Sequence, residues 1–209
     1  MSDADRMRTA YHESGHALVG MLTPGADPVR KISIIPRGQA LGVTLSTPEA
    51  DRYGYERDEL IGKIKVALGG RAAEKVVYGE MTTGAESDIQ QLTQIARGMV
   101  GRWGMSEAIG PIAVLPQEEN GPLLPGSQPA SELTQRLVDE EVRRIVEESY
   151  AEVRRLLDEH RPQLDSLTDA LLRAETLDED AAYAAAQVPH AAADISLDGS
   201  TATSASTGS

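Results

Sequence analysis

The hydrophobic residues of this chain recur mainly three and four positions apart, a spacing that places them on one face of a helix. The spacing predicts long helices over residues 3–22, 56–77, 85–100 and 131–160. Pro162 ends the last of these helices or begins the next one, which is expected to run to about Ala174. The residues Thr-Leu-Asp-Glu at 176–179 form a capping-box pattern, which predicts a final short helix.

Two segments rich in β-branched residues interrupt the helical pattern. Residues 29–35 and 41–46 are predicted to be short strands, separated by a Pro-Arg-Gly turn. The predicted fold class is therefore mainly α with a small β-element (α+β). Gly69 and Gly70 lie inside the second helix, where each costs about 1 kcal/mol relative to Ala, and this cost indicates close helix packing or a bend.

The pattern predicts a single folded domain over residues 1–187. Residues 116–130 are rich in Pro and Gly and are predicted to form a mobile loop within it. Residues 188–209 form a tail rich in Ser, Thr, Ala and Gly. This tail has too little apolar content to fold and is predicted to be disordered.

Composition and charge exclude several classes of function. A formal net charge of -13 over 209 residues argues against binding to nucleic acid or to an anionic membrane surface. The chain has no cysteine, so disulfides are excluded and any metal site must use His and carboxylate ligands. There is no apolar run of about 18 residues and no secretory start, so a soluble, cytoplasmic chain without direct membrane insertion is expected. A GxxxxGK[ST] phosphate loop is also absent, so this sequence shows no means of using ATP.

The first predicted helix contains an HExxH pattern at residues 12–16. Spacing of i and i+4 places His12 and His16 one turn apart on the same face, so both imidazoles can reach one ion. Glu13 projects beside that ion, where it can take a proton from a water and pass it to a leaving amine. Zn²⁺ suits such ligands. The competing interpretation is that both histidines are ordinary helix residues with satisfied hydrogen bonds.

A catalytic zinc ion normally has three protein ligands, so a third is expected. His160 lies at the end of a predicted helix, where a cation has an ordinary structural explanation, and His190 lies in the predicted tail. A carboxylate is therefore favoured. The residues alone leave many carboxylates open, of which Glu74 and Asp88 stand out.

Six ordered segments resemble the peptidase domain of the FtsH family, the membrane-anchored ATP-dependent zinc proteases. They are HESGHA at 12–17, IIPRG at 34–38, LG at 41–42, GGRAAE at 69–74, TGAESD at 83–88 and WGMSE at 103–107. The resemblance covers roughly residues 5–187. It implies that Asp88 is the third zinc ligand and that Glu74 orients a zinc-binding histidine.

The resemblance also implies a mostly helical fold with a small β-element near the cleft. Family members form hexamers and degrade unfolded or misfolded proteins with a fused ATPase module. This sequence lacks the ATPase and transmembrane motifs, so it is expected to be part of a longer protein at the cytoplasmic face of a membrane, or a stand-alone peptidase. Ser14 and Ser87 differ from the residues common in the family, which is a minor departure.

The sequence therefore favours a zinc metalloendopeptidase that binds extended polypeptide against an edge strand within residues 29–46. The alternative from another class is a helical oligomerisation or interaction module with a non-catalytic metal site. Glu13 weighs against that alternative, because a structural site does not need a general base. A peptidase for short peptides that works without an ATPase is a further alternative.

Overall fold

The computed structural model describes residues 2–36, 42–47, 54–115 and 130–190. Its helices are α1 (Asp3–Leu22), α2 (Arg57–Tyr78), α3 (Glu86–Gly101), α4 (Glu132–Glu159), α5 (Arg161–Ala174) and α6 (Glu179–Ala186). Its strands are β1 (Val29–Ser33), β2 (Val43–Ser46) and β3 (Thr176–Asp178). The predicted fold class, mainly α with a small β-element, is confirmed.

The helix ends follow the local capping chemistry of the sequence. Ser2 precedes α1, and its hydroxyl accepts a hydrogen bond from the backbone N–H of Asp5 at 3.1 Å. Ser131 caps α4 in the same way, through the backbone N–H of Thr134. Pro162 lies in the first turn of α5, where its missing N–H costs nothing, so it opens this helix and α4 ends before it.

The three strands form one antiparallel sheet in the order β2-β1-β3. β1 is central, and β2 is an edge strand. Thr44 of β2 pairs with Ile32 of β1, and Val43 of β2 pairs with Ser33 of β1. On its other side, Ile32 of β1 pairs with Leu177 of β3. The sheet therefore joins the N-terminal and C-terminal parts of the described chain.

The strand β3 is absent from the sequence-based prediction, and the cap of the last helix differs from it. Thr176 was expected to begin a capping box but lies in β3, where it pairs with Ser33. Asp178 caps α6 instead, with its carboxylate accepting from the backbone N–H of Ala181 at 3.0 Å. The physical reason is that β1 satisfies its second row of backbone groups by pairing with this segment.

One hydrophobic core connects the helices and the sheet. Its largest fully buried apolar side chains are Leu18, Ile32, Ile64, Leu68, Leu92, Met99, Leu157, Leu164, Leu167 and Leu171. They come from α1 to α5 and from β1, so no single helix holds the core. Burial of each such side chain stabilises the fold by about 1.5–3 kcal/mol before the entropic cost of ordering it.

Parts of four predicted segments lie outside the described residues. The predicted Pro-Arg-Gly turn is described only at Pro36 and the predicted strand 41–46 only from residue 42. The predicted loop at 116–130 is described only at Ala130, and the predicted tail only at residues 188–190. The His190 ring stacks on the Tyr183 ring with centroids 4.0 Å apart, and its Nε2 lies 2.9 Å from Glu179 Oε1. The disordered tail and the domain boundary at residue 187 stay predictions.

Candidate metal centre

His12 and His16 lie on the face of α1 that turns toward α2 and α3. The helical turn between them brings their Nε2 atoms to 3.0 Å from each other. Both rings are largely covered, and the exposed fractions of their side chains are 12% and 10%. The predicted pair of imidazoles therefore does converge on one point.

The opposite nitrogen of each ring has a hydrogen-bond acceptor from α2. His12 Nδ1 lies 2.8 Å from Glu74 Oε1, and His16 Nδ1 lies 2.7 Å from the carbonyl oxygen of Val66. A carbonyl and a carboxylate only accept, so both Nδ1 atoms carry the proton. Gly70 N–H approaches His16 Nδ1 at 3.4 Å, but the much shorter contact to Val66 decides the tautomer. The two Nε2 atoms are consequently the nitrogens available to a metal ion.

Asp88 completes the cluster from the first turn of α3. Its Oδ2 lies 3.2 Å from His12 Nε2 and 3.4 Å from His16 Nε2. A single 3₁₀ turn at Thr83–Ala85 leads into α3, and the Thr82 hydroxyl accepts from the backbone N–H of Gly84 at 3.3 Å. This cap fixes the 3₁₀ turn that runs directly into the first turn of α3, where Asp88 lies.

These donor atoms fit a tetrahedral zinc ion. Ligand atoms at about 2.0–2.1 Å from such an ion lie about 3.3 Å from one another. The three distances between the candidate ligand atoms are 3.0, 3.2 and 3.4 Å. Two imidazole nitrogens and a carboxylate also leave the fourth position open, as a catalytic site requires. Among the described residues, His12, His16 and Asp88 form the one group suited to hold a metal ion.

The electrostatics of the site favour a positive charge at the same place. Burial lowers the pKa of His12, but its hydrogen bonds to Asp88 and Glu74 outweigh burial and raise the pKa to about 9. Burial raises the pKa of Asp88, yet its hydrogen bonds with the two histidines hold it well below its usual range. Burial likewise raises the pKa of Glu74, but its hydrogen bonds, above all that to His12, together outweigh burial and lower the pKa below its usual value. Both carboxylates therefore stay ionised and attract a cation.

Glu74 is held by a second set of contacts behind the histidine. It is only 2% exposed, and its Oε2 accepts from the backbone N–H of Thr82 at 3.1 Å. The same oxygen lies 3.4 Å from an Arg8 guanidinium nitrogen. These contacts leave Oε1 for His12 Nδ1 and hold the imidazole in one orientation. Of the two carboxylates that the residues left open, Asp88 thus contacts the two Nε2 atoms and Glu74 contacts Nδ1 of His12.

The side chain of Glu13 lies between α1 and the edge strand β2. It is mostly buried, with 7% of the residue exposed. The Thr44 hydroxyl lies 2.8 Å from Glu13 Oε2 and 3.0 Å from the Glu13 carbonyl oxygen. Gly42 packs so closely that a Cβ there would lie 2.7 Å from Glu13 Oε1. The carboxylate is thus confined beside the histidines.

The sequence-based prediction missed Thr44 and Val66. Thr44 lies in a segment predicted as a strand. Alternation along that strand places its side chain on the same face as Ser46, and this is the sequence signal that could have drawn attention to it. Val66 acts through its backbone carbonyl, which no side-chain pattern reveals. The other two histidines are elsewhere, as His160 bonds Gln163 and His190 bonds Glu179.

The cluster of His12, His16 and Asp88 opens into a broad cleft of about 1070 Å³. Its walls come from α1, β2, α2 and α3, and include His12, Glu13, Thr44, Glu74 and Asp88. Ordinary pockets for small ligands hold about 300–1,000 Å³. The cleft is therefore large enough for a segment of polypeptide.

The family model described as Peptidase family M41 matches residues 1–184. The chain belongs to peptidase family M41. The M41 match spans all six helices and the sheet of the described structure, apart from the end of α6. The predicted membership in the FtsH-like peptidases is thereby confirmed.

Relatives with high identity carry names of the same kind. The chain is 74% identical over 91% of its length to "ATP-dependent zinc metalloprotease FtsH 3" of Conexibacter woesei. It is 54% identical over 86% of its length to "ATP-dependent zinc metalloprotease FtsH" of Thermobaculum terrenum. The same regions make up only 25% and 28% of those two proteins, so the chain spans about a quarter of their length. Within the described residues of this M41 chain, no helix has the length and apolarity needed to cross a membrane.

Proposed function

We propose that this chain is a zinc-dependent metalloendopeptidase domain that hydrolyses internal peptide bonds of unfolded polypeptides. In this proposal His12, His16 and Asp88 hold a zinc ion, Glu13 carries the proton and Glu74 orients His12. The observation that carries it is the meeting of two Nε2 atoms and one carboxylate oxygen within 3.0–3.4 Å of each other, beside a confined glutamate. The names of the M41 relatives support the zinc dependence.

The role of each side chain follows from its contacts. A bound zinc ion lowers the pKa of a water molecule and polarises the carbonyl of the bond to be cut. The Glu13 carboxylate accepts the proton of the attacking water and holds it at a side-chain oxygen. It then donates this proton to the amide nitrogen of the scissile bond, which leaves as an amine. Glu74 keeps the His12 ring in the tautomer that presents Nε2.

The edge strand β2 supports the binding of extended substrate. Its inner edge pairs with β1, whereas its outer edge has no partner strand among the described residues. Backbone groups along such an edge can pair with any extended chain, largely without regard to its sequence. Thr44 of β2 lies against Glu13, so a strand added here would run past the proton carrier. We propose this edge as the substrate-binding track.

The remaining properties belong to the longer proteins of the family. The relatives are named ATP-dependent, and this chain covers about a quarter of their length. We therefore propose that an ATPase module of a longer parent unfolds substrates and feeds them to the cleft. Homo-hexamers at the cytoplasmic face of a membrane, as the family resemblance implies, are part of the same proposal.

The Glu13→Gln variant tests the catalytic role directly. The zinc-loaded 209-residue chain is given unfolded casein, which needs no unfolding, and cleavage is followed with zinc content. We expect Glu13→Gln to retain stoichiometric zinc and to lose at least about 10²-fold in cleavage rate, the usual contribution of a general base. Glu140→Gln, the same change at an exposed position of α4, is the matched control and should cleave at the wild-type rate. Turnover retained in Glu13→Gln would refute the assignment.

The interaction-module alternative makes a different prediction for the wild type. It predicts a stable, zinc-loaded chain that does not cut unfolded casein. Cleavage abolished by chelation and restored by zinc excludes it.

A further inference from the structure

The hydroxyl of Thr44 contacts Glu13 at two points. Its Oγ1 lies 2.8 Å from Glu13 Oε2 and 3.0 Å from the Glu13 carbonyl oxygen. A hydroxyl has one proton and also two lone pairs. With the carboxylate ionised, the proton is donated to Oε2, because a bond to a charged acceptor is about twice as strong as a neutral one.

The contact occupies only one of the two carboxyl oxygens of Glu13. Thr44 Oγ1 bonds Oε2, so Oε1 is the oxygen left to take a proton from a water and pass it on. Oε2 can accept from the Thr44 hydroxyl throughout, so the carboxyl group need not rotate.

The burial of Glu13 makes its contact with Thr44 important. Glu13 is 7% exposed, so an unsatisfied carboxylate here would be costly. Its backbone N–H and C=O belong to α1, whereas Thr44 belongs to β2, so the contact joins two separate elements. Gly42, the residue just before β2, restricts the carboxylate by close approach.

We propose that Thr44 is a positioning residue that holds the Glu13 carboxyl group in one orientation while it takes up and releases the proton. The inference rests on the proposed function, because it presumes that Glu13 carries the proton. It adds that β2 does two things at once, since its outer edge receives the substrate and Thr44 sets the glutamate.

Kinetics of matched variants test this role. An internally quenched peptide is cleaved by the zinc-loaded chain, and kcat and KM are measured for wild type, Thr44→Val, Thr44→Ser and Thr47→Val. Val keeps the β-branched shape that suits a strand and removes only the hydroxyl. Thr47→Val makes the same change at an exposed position just after β2.

We expect Thr44→Val to lower kcat by about 10- to 100-fold, as loss of orientation does, with zinc content unchanged. KM should stay near wild type, because the lost interaction acts on the chemical step. Thr44→Ser should recover most of kcat, and Thr47→Val should equal wild type. Wild-type kcat in Thr44→Val, no recovery in Thr44→Ser, or a loss confined to KM would each overturn the proposal.

Crystal structures of the zinc-loaded wild-type and Thr44→Val chains give a readout that needs no turnover. We expect the Glu13 carboxyl group to occupy one orientation in wild type and to rotate or spread over several in Thr44→Val. An unmoved carboxyl group in the variant would overturn the positioning role. If the zinc-loaded wild type fails to cleave peptide, the proposed function fails, and the two structures still decide whether Thr44 positions Glu13.

Discussion

Gly15 and Gly69 face each other where α1 crosses α2. A Cβ on Gly69 would lie 2.6 Å from the carbonyl oxygen of Gly15, closer than real Cβ contacts come. This approach brings α2 near enough for Val66 and Glu74 to reach the two histidines of α1. Of the two explanations for the glycine pair of α2, close packing is therefore the one found at Gly69.

Substitution of Gly69 by Ala should destabilise the fold, although Ala is the better helix former. The added methyl meets backbone atoms of Gly15 that cannot rotate away, and overpacking of this kind costs about 1–3 kcal/mol. Gly62→Ala is the matched control in the same helix, since its nearest neighbour, Thr23 Cγ2, would lie at an ordinary 3.6 Å. There the helix-propensity gain of about 1 kcal/mol should prevail. Urea unfolding of both variants measures the opposite signs, and equal signs would contradict the packing argument.

Gly70→Ala should impair the metal site more than the fold. A Cβ at Gly70 would lie 2.5 Å from His12 Nε2, the nitrogen proposed to bind zinc. The His12 ring cannot turn aside without losing its Nδ1 bond to Glu74. We expect zinc affinity to fall by at least about tenfold, as it does when the support of a ligand is disturbed. Competition with a chromophoric chelator measures this, and wild-type affinity would show that the ring has room to move.

Glu74→Gln should weaken zinc binding. The amide oxygen can still accept from His12 Nδ1, but the amide NH2 then faces two donors, Thr82 N–H and Arg8, and the negative charge that supports the imidazole is lost. Changes of such supporting groups typically cost about 10- to 100-fold in metal affinity. Glu80→Gln, at an exposed position just after α2, makes the same charge change and should leave affinity unaltered. The same chelator competition measures the zinc affinity of both variants. Equal affinities would show that Glu74 does not support zinc binding.

Removal of zinc should lower the thermal stability of the wild type. An ion that binds only the folded chain at 100 times its Kd adds about 2.7 kcal/mol, so the melting temperature should rise with free zinc. In His16→Ala one of the three ligand atoms is missing, and the melting temperature should respond weakly or not at all. Calorimetry at buffered zinc concentrations tests both. An unchanged melting temperature in the wild type would mean that His12, His16 and Asp88 do not bind the ion tightly.

Much of the helical architecture follows from local sequence because its signals are local. The helices α1 to α5 lie within one or two residues of their predicted bounds, since apolar spacing and caps such as Ser131 act over a few residues. The strand β3 was not predicted, because three residues are too few to show alternation. It exists only because β1 is there to pair with it, through Ile32 and Leu177.

The sequence by itself determined that His12 and His16 share a helix face and that Glu13 lies beside them, because the turn of an α-helix is the same everywhere. It did not determine which carboxylate joins them, and only the resemblance to a family favoured Asp88 over Glu74. Tertiary structure packs α2 and α3 around α1 and puts one carboxylate at each end of the His12 ring, with Asp88 at Nε2 and Glu74 at Nδ1, which supports Asp88 as the proposed ligand. It likewise placed Thr44 on Glu13. Contacts between residues far apart in the chain depend on the packing of whole elements, and no local pattern encodes them.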